Sequence, residues 1–449
     1  MTPASRLSAS IEVLSDIEAR HRPGADALKD WGLSHRFAGS GDRAAIAGLV
    51  YDALRRKASA AFLMDDASAR AHIIGMLHLQ RGLDTAAIEA LFDGSRFAPV
   101  PLSETETKAL AGSLAQAPAH VQGDYPEWLD PYFARVFGAE RSEEGAALAQ
   151  RAPLDLRVNT LVADRGKVAA MLAHLAVTPT PWSPAGLRLA APPDAKSPAI
   201  QSEPAFLKGM IEVQDEGSQL AALLSGAKAG EQVVDLCAGA GGKSLALAAM
   251  MGKRGQVYAT DLDKRRLAPI YARIERAGAR NVQIRAPKGR SDESPDPLAD
   301  LAGRVDLVLI DAPCTGTGTW RRNPDAKWRM RPGALEVRLS EQGEVLERAA
   351  PLVKPGGRIV YVTCSVLAEE GPDQVTAFLQ RHPDFAVESP PLAQVLGETA
   401  PAFARAVWTL DPGLLMTPRR TGTDGFFVCI LRRAALGGRQ SLDRAPASL

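Results

Sequence analysis

The sequence predicts an α/β protein built on a doubly wound parallel sheet. Short apolar runs rich in β-branched residues alternate with helix-like segments between about residues 201 and 434, and this alternation is typical of βαβ units. The run Val305–Ile310 is apolar at nearly every position, as expected of a central strand with both faces buried. Asp311-Ala-Pro-Cys314 follows directly, and open sheets of this class bind ligands at the carboxyl ends of their strands. This edge is the first candidate for a functional site.

Length and composition are those of a globular protein with several domains. A chain of 449 residues is too long for one core, so two or three domains are expected. Hydrophobic residues make up 46% and charged residues 23% of the chain, and no apolar run approaches the roughly 20 residues of a membrane helix. The N-terminus lacks the apolar core of a signal peptide, so we expect a cytoplasmic protein without a membrane partner. The net charge of +1 gives no global argument for nucleic-acid binding.

Cysteines are few, and only two of them follow strand patterns in a way that indicates chemistry. Four cysteines do not make a disulfide framework in so long a chain, and no CxxC pair predicts a metal site. A free cysteine is usually a small buried hydrophobe, and we prefer this role for Cys237 and Cys429. Cys314 and Cys364 each follow a predicted buried strand, Val305–Ile310 and Arg358–Thr363.

Residues 1–120 are expected to form an all-helical domain. The segment Asp42–Arg56 is amphipathic, with Asp42 as a candidate N-cap. Its apolar residues share one stripe: Ile46, Leu49, Val50 and Leu54. Residues 116–126 are punctuated by proline and glycine and are predicted to be a linker.

Residues 127–200 predict a small α+β module. Leu154–Leu161 alternates like a strand, 164–175 is helix-like, and 187–190 could be a further strand. Proline-rich positions at 192–198 then mark a loop.

The main domain is expected over residues 201–434, with a disordered tail at 435–449. The predicted strands are Gln232–Leu236, Gln256–Asp261, Val282–Arg285, Val305–Ile310 and Arg358–Thr363, and the predicted helices are Leu245–Met251, Lys264–Ala277, Leu335–Leu352 and Pro372–Gln380. A last strand, Phe426–Leu431, closes the sheet and pairs with Leu414–Thr417.

A glycine-rich loop between the first strand and helix predicts a nucleotide-like cofactor. The loop reads Cys237-Ala-Gly-Ala-Gly-Gly-Lys-Ser244, and glycines there let backbone N–H groups approach a ligand. Cys237 occupies a position where a Walker A loop needs glycine, and the third glycine of a dinucleotide fingerprint is missing. The remaining interpretation is S-adenosylmethionine, with Asp261 accepting hydrogen bonds from both ribose hydroxyls.

The motifs resemble those of the Sun-type RNA cytosine-C5 methyltransferases. The resemblance covers about residues 125–434 and rests on these segments: Asp235–Lys243, Asp311–Cys314, Thr363–Ser365, Arg321–Trp328, Gln214–Gln219 and Gly422–Phe427. It implies a Rossmann-like methyltransferase sheet preceded by an RRM-like module. The helical N-terminus, on Asp42–Arg56, resembles the NusB-like RNA-binding domain of the bacterial ribosomal RNA member.

This resemblance implies a role for each candidate site residue. Cys364 would be the nucleophile, Asp311 the acid at N3 of cytosine, Cys314 the residue that assists proton removal, and Lys243 would orient Asp311. The residues implied in cofactor binding are Cys237, Ala238, Gly239, Ala240, Gly241, Gly242, Lys243, Asp261 and Asp311.

A basic run beside the active-site strand is a candidate RNA contact. Arg321, Arg322, Lys327 and Trp328 combine positive charge with an aromatic ring that could hold phosphates and bases. The alternative is a solvated loop.

Two positions depart from the family pattern. Ala240 stands where the family usually has proline, and Lys288 stands where it usually has an acid near the adenine. We expect a monomeric methyltransferase acting on small-subunit ribosomal RNA. The alternatives are a transfer RNA methyltransferase of the same family, or an RNA-binding assembly protein that has lost its cofactor through Lys288.

Overall fold

The computed structural model describes residues 1–190, 198–287 and 296–435. Lys288, part of the predicted loop at 192–198 and the predicted tail from residue 436 lie outside these ranges. Within them, no helix is both long enough and apolar enough to cross a membrane.

The first part of the chain is helical, as predicted. Its helices are α1 (Pro3–Arg20), α2 (Gly24–Ser34), α3 (Ser40–Arg55), α4 (Lys57–Met64), α5 (Ala69–Leu79), α6 (Thr85–Glu89), α7 (Glu104–Ala109), α8 (Ala119–Gln122), α9 (Asp130–Phe137) and α10 (Arg141–Leu148). The predicted stripe of α3 is buried at Ile46, Val50 and Leu54. Asp42 is not the N-cap, because α3 begins two residues earlier and the Asp42 carboxylate accepts a hydrogen bond from Gly39 N.

The segment predicted as a linker is packed into the structure. It contains α8, and Tyr125 at its end is fully buried with its ring stacked on Phe133 at 4.4 Å. Proline and glycine here end short helices rather than mark a loose connection.

A four-stranded antiparallel sheet follows. Its strands are β1 (Leu154–Val158), β2 (Thr178–Pro179), β3 (Gly186–Leu189) and β4 (Ile211–Val213), and its helices are α11 (Arg165–Met171) and α12 (Pro204–Leu207). The strand order is β2-β3-β1-β4. Strand β4 lies beyond residue 200, the predicted end of this module, because it pairs with β1 through backbone groups that side-chain patterns do not reveal.

A nine-stranded sheet forms the main domain. Its strands are β5 (Gln232–Asp235), β6 (Gln256–Ala259), β7 (Val282–Ile284), β8 (Val305–Asp311), β9 (Val353–Thr363), β10 (Phe385–Glu388), β11 (Trp408–Thr409), β12 (Leu414–Met416) and β13 (Phe426–Arg433). The helices are α13 (Glu216–Leu223), α14 (Gly242–Met250), α15 (Lys264–Leu267), α16 (Ile270–Ala277), α17 (Ala326–Arg329), α18 (Pro332–Ala349), α19 (Pro372–Arg381), α20 (Leu392–Leu396), α21 (Ala400–Ala406) and α22 (Pro418–Thr421). The order is β11-β12-β13-β9-β8-β5-β6-β7, with β10 also paired to β13.

Strands β5 to β9 run parallel, and β13 joins β9 antiparallel. Strand β8 buries Leu307 and Leu309 on one face and Val308 and Ile310 on the other, so its unbroken apolar run reflects cover on both sides. Helices α13 and α14 pack on the first face and α18 and α19 on the second. The doubly wound prediction is therefore confirmed.

One predicted helix is divided in two. The expected helix over 264–277 consists of α15 and α16, with Pro269 between them. Proline has no N–H to continue the helical hydrogen bonds of the preceding turn, so the chain restarts at Ile270.

The segment that carries the basic run is attached to the helical N-terminal part. Arg55 donates from Nη1 to the carbonyl oxygen of Arg321 at 2.7 Å, and Lys327 donates from Nζ back to the carbonyl oxygen of Arg55 at 3.1 Å. The Trp328 indole N–H donates to the carbonyl oxygen of Leu54 at 2.6 Å. Each bond joins the two parts of the chain across a buried boundary.

The Arg321 guanidinium also joins segments that are distant in sequence. It donates from Nη2 to the Asp215 carboxylate at 3.2 Å and from Nε to the Asp424 carboxylate. The side chains of Asp215 and Asp424 are only 6% and 2% exposed, and Arg322 binds the same pair. The four side chains form a closed charge cluster, which we call the Asp215–Asp424 cluster.

Replacing Arg321 with alanine is expected to destabilise the protein. It would remove one of the two cations from two buried carboxylates, which typically costs about 3 kcal/mol. The free energy of unfolding in urea measures this, and Arg331→Ala, on an exposed arginine, is the matched control. Equal unfolding midpoints for the two variants would show that the cluster contributes nothing to stability.

Candidate active site

The site lies at the edge where three neighbouring parallel strands end. Asp235 ends β5, Asp311 ends β8 and Thr363 ends β9. Lys243, in the first turn of α14, donates from Nζ to Asp311 Oδ2 at 2.6 Å. The lysine is buried, whereas the aspartate side chain is 34% exposed. In this pair the Asp311 carboxylate is partly exposed to solvent, whereas the Lys243 ammonium group is buried.

The lysine in this pair remains a cation. Burial alone would lower the pKa of Lys243, but the charge and hydrogen bond of Asp311 outweigh burial, and negative charge at Cys364 adds to them. The pKa is consequently raised above its ordinary value. A protonated Lys243 can hold Asp311 in one orientation and attract a thiolate at Cys364.

The two predicted thiols meet at this edge. Cys314 Sγ and Cys364 Sγ are 3.3 Å apart and both are free, since a disulfide would need about 2.05 Å. Their loops are tied by Ala312 N, which donates to the carbonyl oxygen of Val362, and by Gly318 N, which donates to that of Cys364. The loops therefore hold the sulfur atoms in contact.

The two thiols have different electrostatic surroundings. The contact with Cys364 raises the pKa of Cys314, and burial and the charges of Cys364 and Glu370 raise it further. Cys364 instead lies within reach of the positive charge on Lys243. The sequence analysis did not single out Glu370, because its role depends on contacts with the Cys314 loop and not on its neighbours in sequence.

The backbone of the glycine loop adopts conformations that favour glycine. Gly239 and Gly241 have φ values of 49° and 84°, which favour glycine, and a Cβ at Gly241 would lie 2.3 Å from the side chain of Ile270. Gly239 N donates to Asp261 Oδ2 at 3.0 Å, which fastens the loop to the predicted ribose-binding acid. Asp261 lies two residues beyond the end of β6, not at its last residue.

The residues around the loop fit S-adenosylmethionine. Asp235 is fully buried, and while its Oδ2 accepts a bond from Ser244, its Oδ1 has no hydrogen-bond partner among the described residues. Burial, followed by the charges of Asp235, Asp261 and Asp311, raises the pKa of Cys237, so three carboxylates act electrostatically on this part of the loop. A cluster of carboxylates beside a glycine loop suits a cofactor that carries a sulfonium and an amino group.

The loop is also supported from behind by residues that the sequence analysis missed. Arg273 donates from Nη1 to the carbonyl oxygen of Ala240 at 2.8 Å, and Arg157 from Nη2 to that of Gly242 at 3.2 Å. Arg157 lies on β1, so the small antiparallel module contacts the cofactor loop directly. Arg157 and Gly242 are 85 residues apart in sequence, so local sequence patterns do not reveal their contact.

The proposed RNA contacts are corrected by the structure. Arg321 and Arg322 bind the two carboxylates of the Asp215–Asp424 cluster, and Arg321 is buried. Lys327 is buried and Trp328 donates to Leu54, so both serve the boundary with the helical domain. Burial lowers the pKa of Lys327 to about 7. These four side chains make contacts within the protein, which argues against the predicted role in RNA binding.

Together, the parallel sheet, glycine loop and strand-end acids define an S-adenosylmethionine-dependent methyltransferase with a Rossmann-like sheet. The sequence matches the family "16S rRNA methyltransferase RsmB/F" over residues 222–432 and the family "Methyltr_RsmF/B-like, ferredoxin-like domain" over residues 125–196. The chain therefore belongs to the RsmB/F family, and the resemblance to Sun-type enzymes is confirmed.

Individual relatives agree with this assignment. The "Probable ribosomal RNA small subunit methyltransferase B" of Synechocystis is 34% identical over 317 residues, which are 70% of this chain and 68% of the relative. The protein of the same name in Bacillus subtilis is 34% identical over 69% of this chain and 66% of its own length. The crystal structure of PH0851 is similar over 96% of this chain and 99% of that one, with a TM-score of 0.70 and 26% identity.

Replacing Asp261 with alanine is expected to weaken cofactor binding. Loss of a charge-assisted hydrogen bond costs about 1.5–3 kcal/mol, which corresponds to roughly a 10- to 100-fold loss of affinity. Isothermal titration with S-adenosylmethionine measures the change, with Glu275→Ala on the exposed side of α16 as the control. Equal affinity in the two variants would remove Asp261 from the cofactor site.

Replacing Asp235 with asparagine is expected to change how stability depends on pH. Burial raises the pKa of Asp235 to about 7, so between about pH 4 and pH 7 the folded protein binds a proton that the unfolded chain releases. This group therefore makes the protein less stable as pH rises through that window. Between pH 5 and pH 8, the free energy of unfolding of Asp235→Asn should therefore decrease less than that of the parent protein, as measured by urea titration. The same pH dependence in both proteins would contradict the shift.

Proposed function

We propose that this protein methylates C5 of a cytosine in small-subunit ribosomal RNA, through a covalent bond between Cys364 and C6 of the base. The observation that carries the proposal is the contact of two free thiols beside the Lys243–Asp311 pair. Relatives named as ribosomal RNA small subunit methyltransferases support the choice of substrate.

The chemistry explains why two thiols and an acid are needed. C5 of cytosine is a poor nucleophile, and addition of a thiolate to C6 makes C5 electron-rich. Asp311 would take up a proton when the base binds and donate it at N3 as negative charge develops there, which returns the carboxylate that pairs with Lys243. The cofactor supplies an electrophilic methyl group carried on positively charged sulfur. The carbon–sulfur bond to C6 breaks after a base has removed the proton from C5.

The surroundings of the thiols support Cys364 as the nucleophile. The thiolate is the reactive form of cysteine, and the cation of Lys243 attracts negative charge at Cys364. Cys314 lies beside the carboxylate of Glu370, which opposes its deprotonation. The raised pKa of Cys314 keeps this thiol protonated at the start of the reaction, which leaves Cys364 as the candidate for attack.

The same coupling gives Cys314 its role in the later step. Negative charge at Cys364 is one cause of the raised pKa of Cys314. Once Cys364 is bonded to C6, that charge is gone, so the pKa of Cys314 falls when a base is required. Cys314 can then lose its proton to solvent, and the resulting thiolate accepts the C5 proton while the electron pair of the C6–sulfur bond leaves with Cys364.

The two cysteines are expected to give opposite results when each is replaced by serine. Cys364→Ser should show neither turnover nor a covalent adduct, because no thiol can attack C6. Cys314→Ser should form the adduct but fail to resolve it, so methylated RNA stays attached through Cys364. Denaturing gels with radiolabelled RNA and cofactor would show the adduct as a slow band.

Controls separate this chemistry from its alternatives. Cys429→Ser, a buried cysteine of β13, should retain turnover. An adduct in Cys364→Ser and none in Cys314→Ser would reverse the assigned roles. Assays on small ribosomal subunits and on transfer RNA distinguish the two substrate classes, and bisulfite sequencing identifies the modified cytosine.

A further inference from the structure

We propose that Glu370 is the positioning residue for Cys314: its buried carboxylate fixes the loop on both sides of this cysteine and holds the thiol protonated until Cys364 has reacted. The inference rests on the proposed function for its timing. The contacts that support it, however, all lie within the protein and involve neither RNA nor cofactor.

The Glu370 carboxylate binds the residue that follows Cys314. Glu370 is fully buried in a short turn after β9. Its Oε1 accepts a hydrogen bond from Thr315 N at 2.8 Å, and its Oε2 accepts one from the Thr315 hydroxyl. The backbone immediately after the thiol is therefore fixed by one side chain.

A second buried residue, Gln342, connects Glu370 to Pro313, the residue before Cys314. Gln342, on α18, donates from Nε2 to Glu370 Oε1 at 3.0 Å and to the carbonyl oxygen of Pro313 at 2.9 Å. The Tyr361 hydroxyl donates to the carbonyl oxygen of Glu370 at 2.9 Å and anchors the turn. The peptide groups before and after Cys314 are consequently both tied to Glu370.

The hydrogen bonds of Glu370 also suit a negatively charged carboxylate. All three groups that contact its two oxygen atoms act as donors, as an ionised carboxylate requires. The donors are neutral, so they do not cancel the charge, which acts on Cys314. Lys243, next to Asp311, interacts electrostatically with Cys364. Cys314 is the thiol on which the charge of Glu370 acts.

The test is the pH dependence with which iodoacetamide alkylates Cys314 in the full-length Cys364→Ser protein, followed by mass spectrometry. Glu370→Gln in this background keeps the size of the side chain and one acceptor oxygen for Thr315 N and Gln342, replaces the other oxygen with an NH2 group that can donate to the Thr315 hydroxyl, and removes the charge. We expect alkylation at pH 8 to become about tenfold faster, as a shift of one pKa unit gives. Glu370→Asp, which keeps the charge, should remain as slow as the parent.

Glu369→Gln is the matched control. This neighbouring carboxylate pairs with Arg135 rather than with the Cys314 loop, so its loss should leave the alkylation rate unchanged. Equal rates for Glu370→Gln and the parent would overturn the proposal. A pKa for Cys314 at the ordinary thiol value of about 8.5 in the Cys364→Ser parent would also overturn it, even if Glu370→Gln does not fold.

The experiment is independent of the proposed reaction because it uses neither RNA nor cofactor. A failure to methylate cytosine would leave the alkylation result intact, and an unchanged alkylation rate would leave the methyltransferase assignment intact.

Discussion

The Lys243–Asp311 ion pair is the interaction on which the site depends. It joins the first turn of α14, which follows the glycine loop, to the end of β8, which precedes the first thiol. A buried cation without a partner is strongly unfavourable, so Lys243 cannot take its position unless the two strand ends are adjacent. The sheet order places β5 beside β8 and thereby allows the pair to form. The Lys243–Asp311 pair therefore links the cofactor loop to the proposed catalytic edge.

The contact between the thiols couples two chemically identical side chains. Each sulfur alone is a small, weakly polar group. At 3.3 Å, however, ionisation of one opposes ionisation of the other. Glu370 acts electrostatically on Cys314, and Lys243 interacts with Cys364. In the proposed reaction, bond formation at Cys364 would therefore change the acidity of Cys314.

The other domains are joined to the methyltransferase sheet by buried charges. Arg157 of the antiparallel module reaches the glycine loop, and Arg55 of the helical part reaches the carbonyl of Arg321. Arginine suits these boundaries because its five donors can bind carbonyl and carboxylate groups in several directions. A basic run in the sequence is therefore ambiguous: the same residues can meet RNA phosphates on a surface or carboxylates in an interior. Here the interior use is decided by Asp215 and Asp424, which are over 200 residues apart in sequence.

The sequence by itself determined the class of sheet, the family and the residues that we propose for the catalytic edge. Patterns that depend on neighbours carry this information: a strand buried on both faces is apolar throughout, as in Val305–Ile310, and a loop with positive φ needs glycine, as at Gly241. Tertiary structure decided the rest, namely the pairing of β4 with β1, the burial of Lys327 and the contact of Glu370 with the Cys314 loop. These features depend on contacts between segments that are distant in sequence. Local periodicity shows that a residue is buried or exposed, but it does not identify the residue that it contacts.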